Sequence, residues 1–122
     1  MFSDLIAEHG ATCWLVNTGW SGGQFGVGKR MAIRHTRALL RSALDGSLTQ
    51  MEFHREPFFG LSIPAHVPGI PDEVLDPRLS WADKADYDRT AKSLIKRFED
   101  NFSTYETGVG DDVKAAAIRS AA

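Results

Sequence analysis

Residues 17–28 carry five glycines (Gly19, Gly22, Gly23, Gly26 and Gly28) and run directly into Lys29 and Arg30. Gly23 and the Gly28-Lys29 pair have the spacing of a phosphate-binding loop, in which successive backbone N–H groups wrap phosphates and the lysine reaches the outer ones. Such a loop also needs a hydroxyl directly after the lysine to hold magnesium, and here that position is Arg30. Residues 31–33 (Met-Ala-Ile) read as extended, so no helix is expected to start at once. The stretch is therefore not expected to act as a phosphate loop by itself. A glycine-rich surface loop entering an edge strand is the plainer reading. Between these two stands a cationic patch: Lys29, Arg30, Arg34, Arg37 and Arg41 occur without an acidic residue among them. Such a patch suits an anion or a nucleotide, although arginines on a helix also serve as a solvated face.

Other reactive residue types are less organised. His9, His35, His54 and His66 are scattered without metal-ligand spacing. Cys13 sits in an apolar run and reads as inert core. Ser21 lacks the flanking pattern of a nucleophile elbow. Asp72, Glu73 and Asp76 read as solvated turn acids, and Trp14, Trp20 and Trp81 as packing groups that could otherwise stack a base.

The elements that must position these residues follow from periodicity and punctuation. Residues 1–9 read as a helix with Phe2, Leu5, Ile6 and His9 on one face and Gly10 at its end. Residues 12–16 read as a buried strand, and residues 17–28 as a loop too glycine-rich for a regular element. A short strand is expected at 30–34, then a helix capped by Thr36 and running to about Leu44. Leu39, Leu40, Ala43 and Leu44 would form its apolar stripe, opposite Arg37 and Arg41. Residues 51–56 alternate as a half-buried strand, with another at 58–63 stopped by Pro64. Pro64, Pro68, Pro71 and Pro77 predict an extended connector over 64–79. The longest helix is expected from Ser80 to about Tyr105, with a loose tail over 108–122.

A chain of 122 residues with 43% hydrophobic and 25% charged side chains is expected to form one domain with a core. The formal charge of −2 argues against a general nucleic-acid or anionic-membrane partner. A single cysteine, no signal-like start and no long apolar run suggest a cytoplasmic protein.

The string 15–23 (Leu-Val-Asn-Thr-Gly-Trp-Ser-Gly-Gly), continuing through Gly26-Val27-Gly28-Lys29-Arg30 to Thr36-Arg37-Ala38, resembles the ATP-dependent phosphoenolpyruvate carboxykinase family. The resemblance extends through 43–48 (Ala-Leu-Asp-Gly-Ser-Leu), Phe59-Gly60-Leu61, Ile63-Pro64, 68–71 (Pro-Gly-Ile-Pro) and 75–78 (Leu-Asp-Pro-Arg). It ends in Ala91, Lys92, Leu94, Phe98, Asn101 and Phe102. It implies the carboxy-terminal part of such an enzyme, an α/β or α+β unit with a small mixed sheet and flanking helices, within the nucleotide-binding domain. The family converts oxaloacetate and ATP to phosphoenolpyruvate, carbon dioxide and ADP in gluconeogenesis, with magnesium and manganese. By resemblance Arg30 and Thr36 contact the nucleotide and Met31 packs on its base. The phosphate loop, the metal ligands and the arginine that grips oxaloacetate are expected in a part preceding Met1. The chain alone is then expected not to carry out the reaction. A non-catalytic nucleotide-binding or complementation module is the alternative. Either way, apolar surface at 12–16 and 36–44 is expected to be exposed and to favour self-association.

Overall fold

The structure, a computed structural model, describes residues 2–120, without the side chains of Phe2, Ser3 and Ala7. Met1 of the expected first helix and the last two residues of the expected tail lie outside the described residues. The chain runs α1 (Phe2–His9), β1 (Trp20–Ser21), β2 (Lys29–Arg30), α2 (Ile33–Leu44), β3 (Phe53–Arg55) and β4 (Ser62–Pro64). Four helices complete it: α3 (Asp72–Leu75), α4 (Pro77–Ser80), α5 (Lys84–Phe102) and α6 (Asp111–Ala115). The class is the expected mixture of helices and strands. The strands form two separate antiparallel ribbons, β1–β2 and β3–β4, in place of one mixed sheet.

The core is small and draws on distant parts of the chain. Leu48, Val67 and Ile70 are buried together, with Trp14, Ala38, Leu39, Ala43, Met51, Phe53, Val74 and Leu75 packed against them. Val67 is completely buried. The proline-rich segment is therefore a folded part of the core and not an extended connector: residues 72–75 and 77–80 turn into α3 and α4. Proline suits the first turn of a helix, where its missing N–H leaves no bond unmade, and Pro77 occupies that place in α4.

The apolar stripe of α2 divides. Leu39 and Ala43 face the core, while Leu40 and Leu44 are exposed on the side of Arg37 and Arg41. In β3–β4, Phe53 pairs with Pro64, His54 with Ile63 and Arg55 with Ser62. Residues Phe58 and Phe59 sit in the connecting turn, not in a strand. The buried Glu56 carboxylate closes that turn by accepting from the N–H groups of Phe58 (3.0 Å) and Phe59 (2.6 Å).

Helix α5 starts at Asp83, whose carboxylate accepts from the N–H groups of Ala85 and Asp86. Ser80, the expected start of this helix, belongs to α4 instead. Tyr87, Ala91 and Ile95, four residues apart, make the buried stripe of α5. Phe58 and Trp81 meet Tyr87 edge to face, both at 5.6 Å. The fork of Arg78 on Asp88, at 2.8 and 3.1 Å, ties α4 to α5 and holds the Asp88 carboxyl below the usual carboxylate pKa.

Residues 12–16 do not form the expected buried strand. No neighbouring strand pairs with them, and Leu15 is 87% exposed. Trp14 alone turns inward and stacks on Phe53 at 5.8 Å.

Two outcomes test this packing. Ile70→Ala removes a buried side chain from the small core and should cost about 2–4 kcal/mol in urea denaturation. Burial, helped by the charges of Glu56, Asp76 and Asp88, pushes the Tyr87 hydroxyl up to about 12. The unfolded chain gives up this proton near pH ~10, so the stability tied to it is complete below ~10 and is lost as pH rises towards 12. Denaturation midpoints of the wild type should fall across that window, and those of Tyr87→Phe should lack this component.

Candidate functional site

The glycine-rich segment folds as a hairpin. Trp20 pairs with Arg30 and Ser21 with Lys29, and the Met31 N–H extends the ladder to the Gly19 carbonyl at 3.1 Å. This corrects the expectation that the segment lacks regular structure. Two glycines explain it. A Cβ on Gly28 would lie 2.5 Å from the Gly23 oxygen and 2.8 Å from that of Ser21, so only hydrogen fits between the two arms. At Gly22, φ is +79° and a Cβ would meet the Ser80 carbonyl oxygen at 3.0 Å. The Gly22 N–H donates to Ser80 Oγ at 3.1 Å, which holds the hairpin against α4. Gln24 Nε2 donates to Thr90 Oγ1 at 3.3 Å and fastens the turn to α5.

The expected strand at 30–34 is replaced by β2 and an early helix start. Ala32 is the N-cap of α2, its carbonyl accepting from the N–H groups of His35 (2.9 Å) and Thr36 (3.3 Å). Thr36 is thus inside the first turn and does not cap the helix. No side chain caps α2, and its first turn holds no acidic residue. The positive end of its dipole is left for an anion.

Between the hairpin, this helix start and the α3–α4 segment lies a cleft of about 380 Å³, within the usual range for small-molecule sites. Lys29, Arg30, Met31 and His35 line it on one side, Val74 and Ser80 on the other. Of the nucleotide residues expected from the sequence, Arg30 and Met31 meet here, while Thr36 is half-buried in α2 and outside the lining. Arg34 is beside the cleft, donating from Nε to His35 Nε2 at 3.2 Å. Arg37 and Arg41 face away, along a second, shallow surface with Leu40 and Leu44. The five-cation patch is therefore split between two faces.

His35, Val74 and Ser80 are absent from the sequence-based expectation. Val74 and Ser80 are more than forty positions from β2, and no spacing rule connects them. His35 follows the N-cap Ala32 by three residues and so returns to the cleft side, a relation hidden by the expected helix start at Thr36.

Several of the remaining candidates have structural partners. Asp72 pairs with His66 at 2.9 Å, and Asp76 accepts from the Arg78 N–H at 2.9 Å. Cys13 is exposed and not core. Trp20 packs edge to face on Phe25. Among the described residues no three His, Cys, Asp or Glu side chains converge as a metal site requires.

A tight glycine hairpin, two adjacent cations and an open helix N-terminus thus border one cleft. Comparison with known sequences specifies the class. A family model described as phosphoenolpyruvate carboxykinase matches residues 1–73. The chain is 54% identical over 117 residues to a phosphoenolpyruvate carboxykinase (ATP) of Bradyrhizobium sp. (strain BTAi1), covering 96% of this chain and 22% of that protein. It is 54% identical over 118 residues to the protein of the same description from Paracoccus denitrificans, covering 97% and 22%. With that of Parvibaculum lavamentivorans it shares 53% over 121 residues, covering 99% and 22%. The chain belongs to the ATP-dependent phosphoenolpyruvate carboxykinase family, and it spans about a fifth of the length of these curated relatives.

The hairpin geometry yields a paired test. Gly28→Ala should disrupt the ribbon and the cleft together, with amide shifts from Gly19 to Ala32. Gly26→Ala meets no atom within 4 Å and is strained only through its φ of +90°. It should cost only about 1–2 kcal/mol and leave the cleft resonances in place.

Proposed function

We propose that this chain supplies part of the nucleotide side of the site in an ATP-dependent phosphoenolpyruvate carboxykinase, a gluconeogenic lyase of the cytoplasm. That enzyme turns oxaloacetate and ATP into phosphoenolpyruvate, carbon dioxide and ADP. The observation that carries the reading is the meeting of Arg30 and Met31 in one cleft beside the bare N-terminus of α2. Arg30 offers a planar cation that can bond phosphate or ribose or stack on a purine, and Met31 an adaptable apolar surface for the base. Thr36, one turn into α2, offers a hydroxyl to a ligand that reaches past the cleft rim.

Phosphoryl transfer depends almost wholly on positioning and on neutralising charge. The described side chains do not include a ligand set that fits the magnesium and manganese of the family, so no step through a metal is assigned to them. In this reading the phosphate loop, the metal ligands and the oxaloacetate site come from the remainder of the enzyme, and the chain alone does not catalyse the reaction.

A docking role is favoured by a separate observation. Leu15, Phe25, Val27 and Leu44 each expose 80% or more of their surface, and Ile33 exposes 70%. Apolar groups left open to this extent suit burial against the remaining part of the enzyme or, in its absence, self-association. No helix among the described residues is long and apolar enough to cross a membrane.

Titration of the labelled chain with magnesium-ATP, followed by two-dimensional amide NMR, tests the nucleotide reading. Shifts should centre on Arg30–Arg37, and Arg30→Ala should weaken the apparent affinity about tenfold or more, the scale of a lost charged hydrogen bond. Unshifted amides at Arg30 and Met31, or equal binding by Arg30→Ala, would overturn it.

A further inference from the structure

The cleft contains one polar side chain that the nucleotide reading does not use. His35 is only 7% exposed, yet it lines the cleft wall formed by the start of α2. Its Nε2 accepts from Arg34 Nε at 3.2 Å, so the lone pair is on Nε2 and the ring proton on Nδ1. An arginine cannot accept a hydrogen bond, which fixes this tautomer. Nδ1 has no hydrogen-bond partner among the described residues. Among the described residues no fully buried side-chain nitrogen or oxygen is left without a partner either. Nδ1 is therefore not fully enclosed although the residue is buried, and the ring that carries it lines the cleft.

We infer that His35 is a ligand-reading residue, its neutral imidazole donating the Nδ1–H to an uncharged acceptor on the nucleoside part of a nucleotide held in the cleft. This rests on the nucleotide reading given above and adds to it the group that senses the nucleoside. The division of labour follows from charge. Lys29, Arg30 and the open end of α2 already serve the phosphates, where a full charge is most effective. A neutral donor beside these cations gains nothing from a further charge and matches a ribose hydroxyl or a purine ring nitrogen. An enclosed N–H that finds its acceptor only in the correct ligand also discriminates strongly, because a ligand lacking that acceptor leaves the donor unmatched.

The test uses the 122-residue chain, magnesium-ATP as nucleotide and inorganic tripolyphosphate as the probe without a nucleoside. In long-range nitrogen–proton NMR, the Nδ1 of His35 should shift on addition of magnesium-ATP and stay unchanged with tripolyphosphate. His35→Phe, which keeps the ring volume and removes the donor, should weaken ATP binding by about 3- to 10-fold and leave tripolyphosphate affinity unaltered. His35→Asn, which restores an N–H, should recover part of the loss. If Arg30 and Met31 respond to ATP while Nδ1 does not, or if His35→Phe binds ATP like the wild type, the assignment of His35 fails and the nucleotide reading stands. If wild-type Arg30 and Met31 do not respond at all, both fail. Should His35→Phe not fold, the nitrogen shift of the wild type decides alone.

Discussion

Ser80 Oγ stands between two backbones, accepting from the Gly22 N–H at 3.1 Å and donating to the Pro77 carbonyl at 2.7 Å. That single hydroxyl joins the glycine hairpin to α4 across 58 positions of sequence. Closing so long a loop has an entropic cost that one hydrogen bond cannot offset. The contact persists because both ends are fixed independently. The hairpin is held by its own ladder, and α4 by the Arg78–Asp88 fork to α5. Behind α4, Val67 and Ile70 anchor the same segment in the core. The two walls of the cleft come from these two bodies, so the distance between them is set by the packing beneath and not by the loop itself.

This arrangement explains how little of the site is chemical and how much is geometric. The cleft has cations, a helix end and the His35 ring, and among the described residues no group of metal-ligating side chains converges. In the proposed reading, where the barrier is lowered by placing and neutralising a phosphate chain, this cleft would be part of the apparatus. It remains one share, in keeping with a chain that spans 22% of the length of its relatives.

Legibility from sequence followed the locality of the forces. Helices α1 and α5 and strand β3 were readable because their patterns are local: Tyr87, Ala91 and Ile95 repeat at helical spacing, and residues 51–56 have a strand-like pattern, whereas the second strand came later than expected and includes Pro64. Arg30 and Met31 were singled out by resemblance and share a cleft. The failures have physical causes of their own. Residues 12–16 have the composition of a buried strand, but a strand requires a partner edge, and no strand of the described chain pairs with it. The prolines of 64–79 suggested extension, yet a proline at the first position of a helix begins a turn as readily as it prevents one. Thr36 looked like a cap because of its type, whereas the helix started three residues earlier on backbone geometry alone. Ser80 and Val74 were unreadable as cleft residues, since their role exists only after the long loop has closed.

The irregular segment 11–18 has a practical consequence. Beyond the Ala11 N–H, which closes the end of α1 on the Ile6 carbonyl at 3.2 Å, residues 12–18 make no backbone hydrogen bond with another described backbone group. Apart from Trp14, every side chain in the segment is exposed. An endoprotease needs several consecutive residues free to lie extended in its active site, and this is a stretch that offers them without first unfolding anything. Cleavage would begin here, releasing α1 as a short peptide and leaving the hairpin, the cleft and the core behind as the protease-resistant remainder.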